Sequence, residues 1–97
     1  MESIQLKRLT DREVQHIAAA LAAPRRCKIL KEVGTSEHPY PCTALVEAND
    51  ISPATVSHHI KELERAGLVE VTRAGKYMNV LLKRDVLRAY AEHLTGF

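Results

Sequence analysis

Tryptophan is absent from this sequence, and three tyrosines and one phenylalanine are its only aromatic side chains. That scarcity argues against a single-strand nucleic-acid platform, which stacks successive bases on several exposed rings. Two cysteines allow one bridge at most, so no disulfide framework holds the fold, and intracellular thiols normally stay reduced. No apolar run approaches the ~20 residues of a membrane-spanning helix; Ile17 to Ala23 is among the longest. Repeats and low-complexity stretches are missing too. So are a glycine-rich phosphate loop, a nucleophile–base arrangement and a paired-carboxylate pocket, which makes an enzyme a distant reading. Met1 to Arg8 carries an early acid and no apolar signal region, so the expectation is a soluble, cytoplasmic domain. Charge of either sign is not in excess: 14 basic against 12 acidic side chains give a formal +2. Such a balance names no nucleic-acid partner by itself; the placement of the charges has to do that.

What is present is the composition of a folded protein. In 97 residues, 45% are hydrophobic and 27% charged, enough for a single domain, spanning 1–97, with one core. Thr10-Asp11-Arg12-Glu13 reads as a capping box, with Leu9 and Val14 spaced as a hydrophobic staple. Val14, Ile17, Ala18 and Leu21 then follow helical spacing. Pro24 opens a second helix lined by Cys27, Leu30 and Val33, with Ile29 beside them and Gly34 as its stop. Thr35 to Pro41 reads as a loop, because its two prolines exclude regular structure. A short helix follows from about Cys42 to Ala48, then a tight turn through Asn49, Asp50 and Ile51, with Asp50 suited to left-handed geometry. Ser52-Pro53 supplies a cap and a first-turn proline for a helix reaching about Ala66, closed by Gly67.

The apolar period then changes. Val69 to Thr72 and Tyr77 to Leu81 alternate as strands around a hairpin turn at Arg73-Ala74-Gly75-Lys76, and helical spacing returns from Lys83 to about His93. The expected fold is mainly α with a small β-hairpin, in the order α-α-α-α-β-β-α. It divides into an arm over 1–9, a helix-turn-helix over 42–66, a wing over 69–82 and a last helix over 83–95. A helix-turn-helix with a hairpin behind it is a winged helix-turn-helix. Val56, Ile60 and Leu63 face inward on its second helix, so a rotation of about 100° per residue turns Ala54, His58, Lys61 and Arg65 outward, flanked by Thr55 and Ser57. The surface beginning at Ser52 is narrow enough to enter a major groove about 12 Å wide. Arg73 and Lys76 on the hairpin are placed for phosphates, and Arg25, Arg26 and Lys28 could supplement them. Double-stranded DNA is therefore the expected partner. A winged-helix protein-interaction module without DNA binding is the alternative, with solvated cations as its plain explanation.

Two segments also resemble a known family. Ala20 to Leu30 is similar to the opening of ArsR-type winged-helix repressors, and Ile51 to Lys61 is similar to their recognition segment. Ala66-Gly67-Leu68-Val69 and Gly75-Lys76 match as well, so the resemblance spans about Leu9 to Leu94. It implies a homodimeric transcriptional repressor that leaves its operator when an inducer binds, with the first and last helices forming the dimer interface. On that basis Val14, Ile17, Leu21, Val86, Leu87, Tyr90 and Leu94 are the expected interface residues. The wide apolar arc of the last helix supports a dimer independently.

The metal sites that the resemblance brings to mind fail position by position. The paired cysteines of the short-helix site fall on Pro41 and Thr43, with Cys42 between them, and its aspartate falls on Ala44. The last-helix aspartate and histidine fall on Arg84 and Val86. No metal and no cofactor are expected. Cys27 reads as a buried structural thiol, with a Cys27–Cys42 redox pair as the lesser alternative. His59 reads as a hydrogen-bonded structural histidine, and His16 and His93 as surface or interface residues. Asn49-Asp50 and Pro53 depart from the family pattern in the turn and at the start of the recognition segment.

Overall fold

A computed structural model describes residues 8–97. Most of the expected arm over 1–9 lies outside the described residues. Five helices and three strands follow one another: α1 (Asp11–Leu21), α2 (Pro24–Val33), β1 (Tyr40–Pro41), α3 (Cys42–Asn49), α4 (Pro53–Arg65), β2 (Val69–Ala74), β3 (Tyr77–Leu82) and α5 (Arg84–Thr95). The start of α1 is held as its sequence requires. Thr10 Oγ1 accepts the Glu13 amide at 3.1 Å while Glu13 Oε1 accepts the Thr10 amide at 2.8 Å. The α4 exit is a Schellman turn: Leu68 N–H reaches Leu63 O at 3.0 Å, Gly67 N–H reaches Glu64 O at 2.9 Å, and Gly67 takes φ +79°.

Two local expectations are corrected. The segment before α3 is not wholly irregular: Tyr40–Pro41 pairs antiparallel with β3, Tyr40 opposite Val80 and Pro41 opposite Asn79, which makes a three-stranded sheet in the order β1-β3-β2. Proline is tolerated because β1 is a two-residue edge strand, where a missing N–H need not interrupt a ladder. The hairpin is also tighter than expected. Strands β2 and β3 pair from Val69–Leu82 to Ala74–Tyr77, leaving only Gly75 and Lys76 as the turn. Gly75 supplies φ +62°, the positive value that two-residue hairpins need at their first central position.

Gly34 does follow α2, but for another reason than the left-handed stop. Its φ is −71°, in the right-handed region. Glycine is favoured there by close approach, since a Cβ would stand 3.1 Å from Leu82 Cδ2 and 3.4 Å from Leu30 O.

The core gathers one face of every helix beneath the sheet. Ile17, Ile29, Val33, Leu45, Val56, Ile60, Leu63, Leu68 and Val80 are its most enclosed side chains. Cys27 is not among them. The inner face of α2 is Ile29, Leu30 and Val33, and Cys27 is exposed on the outer side, its thiol donating to Leu21 O at 3.0 Å. Ile17 and Val86 are also placed differently from expectation: both are buried within their own chain, at 0% and 4% exposure, and offer nothing to a partner surface. Of the expected interface set, Val14, Leu21, Leu87 and Tyr90 are half-buried, and Leu94 is exposed.

Candidate nucleic-acid interface

Helix α4 is oriented by its entry turn and by its core face. Asp50, the C-cap of α3, adopts φ 52° and ψ 46°, the left-handed geometry its side chain tolerates better than most. Ser52 then accepts the Thr55 amide at 3.1 Å and lies 2.8 Å from the Thr55 hydroxyl. With Pro53 at the first helical position, the start of α4 is fixed by cap and ring together. Val56, Ile60 and Leu63 are at most 2% exposed, which pins one side of the helix. On the reverse, Ser52, Ala54, Thr55, Ser57, His58, Lys61 and Arg65 are all exposed.

The hairpin brings Arg73 beside α4. Ser57, Lys61 and Glu64 of α4 line one shallow recess with Val71, Arg73 and Met78 of the wing. Arg73 and Lys76 are exposed, and Lys76 Nζ lies 5.7 Å from the ring centroid of Tyr77, itself 61% exposed. The ion pair formed among the described residues joins Arg65 to Glu62 at 3.2 Å, so Arg65 is partly neutralised while Lys61, Arg73 and Lys76 are not.

Arg25 and Arg26 behave differently from free supplements. Arg25 Nη1 donates to Asn49 O at 3.1 Å, at the end of α3. Arg26 donates through Nε to His59 Nδ1 at 3.4 Å and through Nη1 to Ala20 O at 3.1 Å. Both guanidinium groups therefore brace the helices around α4. His59 is the half-buried histidine the sequence suggests; burial, then the charges of Arg26, His58 and Arg25, hold it below the ordinary histidine range. His16, His58 and His93 are exposed, with His93 stacked on Tyr90 at 6.5 Å.

A polar network went unforeseen in the sequence. Asn49 is 4% exposed; its Nδ2 donates to Leu45 O at 2.8 Å and to Glu32 Oε1 at 3.2 Å. Tyr40 Oη donates to Glu32 Oε2 at 2.9 Å, and this bond, more than burial or the carboxylate charge, pushes the phenol upward from its ordinary value. One carboxylate thus ties α2, the edge strand and the turn before α4. The only advance signal was a tyrosine set between two prolines in a segment that looked irregular.

The two cysteines are kept apart in the fold. Cys27 lines a hollow with Leu21, Leu30, Leu82 and Leu87, whereas Cys42 lines another with Val46, Pro53, Val56 and Met78. Burial raises the Cys42 thiol, an effect that the nearby Arg73 charge only opposes. Among the described residues, no group of three or more His, Cys, Asp or Glu side chains is arranged to hold a metal. Arg84, on a family metal position, donates instead to Gly34 O at 3.0 Å and Ser36 O at 3.2 Å. No helix among the described residues is long and apolar enough to cross a membrane.

Comparison with known proteins agrees with this geometry. The profile of a helix-turn-helix domain family matches residues 21–72, more than half of the chain. Among solved structures, the homodimeric winged helix-turn-helix DNA-binding domain of a possible ArsR-family regulator from Mycobacterium bovis is similar at 26% identity. That match covers 92% of this chain and 87% of that one, with a TM-score of 0.72. An ArsR-like transcriptional regulator from Rhodococcus is 24% identical over 87% of this chain and 77% of that one, with a TM-score of 0.73. HlyU from Vibrio cholerae is 20% identical over 87% and 91%, with a TM-score of 0.66. Among proteins with curated descriptions, none matches the sequence. The chain belongs to the helix-turn-helix domain family, and its fold is similar to the winged form of these ArsR-type regulators.

Proposed function

We propose that the chain is a homodimeric, sequence-specific regulator of transcription that binds double-stranded DNA in the cytoplasm. It acts as a repressor, leaves a pseudo-palindromic operator when a signal arrives, and works without the family's usual metal sites. The observation that carries this reading is the shared recess lined by exposed Ser57 and Lys61 of α4 and exposed Arg73 of the wing, on the flank of α4 that faces the hairpin. Thr55, Ser57 and His58 stand near base edges in the major groove, with Ser52 and Ala54 at its entrance. Lys61, Arg73 and Lys76 meet phosphates. The half-buried and exposed apolar residues of α1 and α5, namely Val14, Leu21, Leu87, Tyr90 and Leu94, form the contact between protomers. A twofold pair sets its recognition helices about 34–36 Å apart, one turn of duplex.

Titration against duplex fragments selected from a random library, at several salt concentrations, tests the reading. Replacing Arg73 or Lys76 by alanine lowers affinity for every sequence and reduces the slope of log K against log salt by about 0.9 per lost contact. Replacing His58 by alanine changes preference among fragments instead. A wild-type chain that shifts no duplex at low salt, yet captures a protein partner through α4 and the wing, would establish the interaction-module alternative.

A further inference from the structure

The wing covers one flank of α4 with positive charge, and the opposite flank has its own cluster. Arg25 and Arg26 open α2 beside the second turn of α4, where Arg26 Nε stands 3.4 Å from His59 Nδ1. The His58 and His59 rings are 5.7 Å apart between centroids and inclined by 51°. Among the described residues, neither arginine has a carboxylate within ion-pair distance. Both use carbonyl oxygens and a ring nitrogen, which leaves the charge unanswered. The first turn of α2 carries no acid either, although a helix start favours one. The acid one turn along α4, Glu62, is held by Arg65 at 3.2 Å, and α1 lines that same hollow with His16, Ala19 and Ala20, none of them an acid. Two guanidinium groups and two imidazoles therefore meet on one edge with no acid of the described residues paired to them.

We infer that this edge, made by Arg25, Arg26 and His59 beside the base-facing His58, receives a backbone phosphate of the bound duplex, and that His59 takes up a proton as the phosphate arrives. The inference rests on the DNA-binding reading and adds a contact on the flank away from the wing. Its electrostatics follow from position. In the free chain, burial first, then the neighbouring Arg26, His58 and Arg25, oppose a charge on His59. A phosphodiester oxygen against Arg25 and Arg26 cancels the repulsion and adds an attraction. Arg26 Nε turns from His59 Nδ1 to that oxygen, which frees the ring nitrogen for the proton, so the imidazolium becomes the favoured form. Binding and protonation are then linked, and affinity rises as the pH falls through the window between the free and bound proton affinities of His59.

The direct measurement is the histidine titration of wild-type protein by NMR, alone, with a saturating selected duplex, and with millimolar inorganic phosphate. The proton affinity of His59 is expected to rise about tenfold or more with duplex, and less with the free anion, which lacks the rest of the docked backbone. Binding of the same duplex should be about fivefold or more tighter at pH 6 than at pH 8. His59→Gln removes most of that difference, and Arg25→Gln lowers the salt slope by about 0.9. Lys76→Ala, on the wing, lowers the salt slope and keeps the pH dependence. If wild type binds duplex while His59 titrates identically with and without it, the inference is overturned and the DNA reading stands. A response to inorganic phosphate but not to duplex overturns it too. If no duplex binds at low salt, both readings fall together.

Discussion

Removing the Glu32 carboxylate should loosen the molecule far more than its half-buried position suggests. Each carboxylate oxygen has its own donor: Asn49 Nδ2 at 3.2 Å on one side and Tyr40 Oη at 2.9 Å on the other. In Glu32→Ala, one Asn49 N–H keeps its bond to Leu45 O, but the second is stranded in a residue 4% exposed. A buried donor left without a partner costs about 1–3 kcal/mol. The severed tyrosine bond adds about 1 kcal/mol at most, because Tyr40 can be rewetted. The expected loss is thus about 1–4 kcal/mol, and for a domain of this size about 4–8 °C of Tm accompanies each kcal/mol. Glu32→Gln is the informative control. Its carbonyl still accepts from Asn49, and its amide can donate to the tyrosine oxygen, so the loss stays under about 1 kcal/mol. Thermal and urea unfolding at one fixed protein concentration would measure both, since assembly makes Tm concentration-dependent. A spectroscopic phenol titration provides a second readout, with Tyr40 expected to return toward 10.0 in the alanine variant. Glu32→Ala within about 0.5 kcal/mol of wild type would refute the account of the network, 0.5 kcal/mol being the range of an ordinary surface change.

Three further outcomes follow from the same geometry. Gly67→Ala should cost about 1 kcal/mol from its φ of +79° alone, with nothing within 4 Å of the new methyl, whereas Gly34→Ala has an ordinary φ and needs only Leu82 Cδ2 to yield; urea midpoints for the pair would reverse if conformation were not the cause. His59 binds a proton less readily folded than unfolded, so the unfolded chain gains the proton first and stability falls as pH drops below about 6.5. His59→Gln should flatten that part of the stability–pH curve. Alkylation of the native protein should modify exposed Cys27 well before Cys42, whose thiolate is suppressed by burial; equal rates would contradict the placement of the two thiols.

Much of the fold was legible because local chemistry and tertiary packing agree. The Thr10 box, the Ser52-Pro53 entry, Gly67 and the Val56–Ile60–Leu63 stripe all read the same way in sequence and in space. Asp50 shows how a departure from the family pattern can be absorbed, since the side chain accepts the left-handed geometry that the turn demands. What escaped the sequence depends on distant partners. Tyr40–Pro41 becomes a strand because β3 offers a free edge, which no local propensity contains. Cys27 stands at helical spacing with Leu30 but on the wrong side of it, because Ile29 and Val33 set the buried arc of α2. The outward face of α4 was readable from its inward one. The bracing of Arg25 and Arg26 against Asn49 and His59 was not, since those contacts span 24 and 33 positions.

Strand β1 runs directly into α3, while its other side is zipped to the strand that carries the wing. Helix α3 and the hairpin are consequently mounted on a common chassis, with Tyr40 and Glu32 as its rivets. On the function proposed above, such a half-molecule presents a braced template to one turn of duplex. Any signal that ends the grip on DNA then has its easiest leverage at the seam between two copies, by tilting one rigid template against the other.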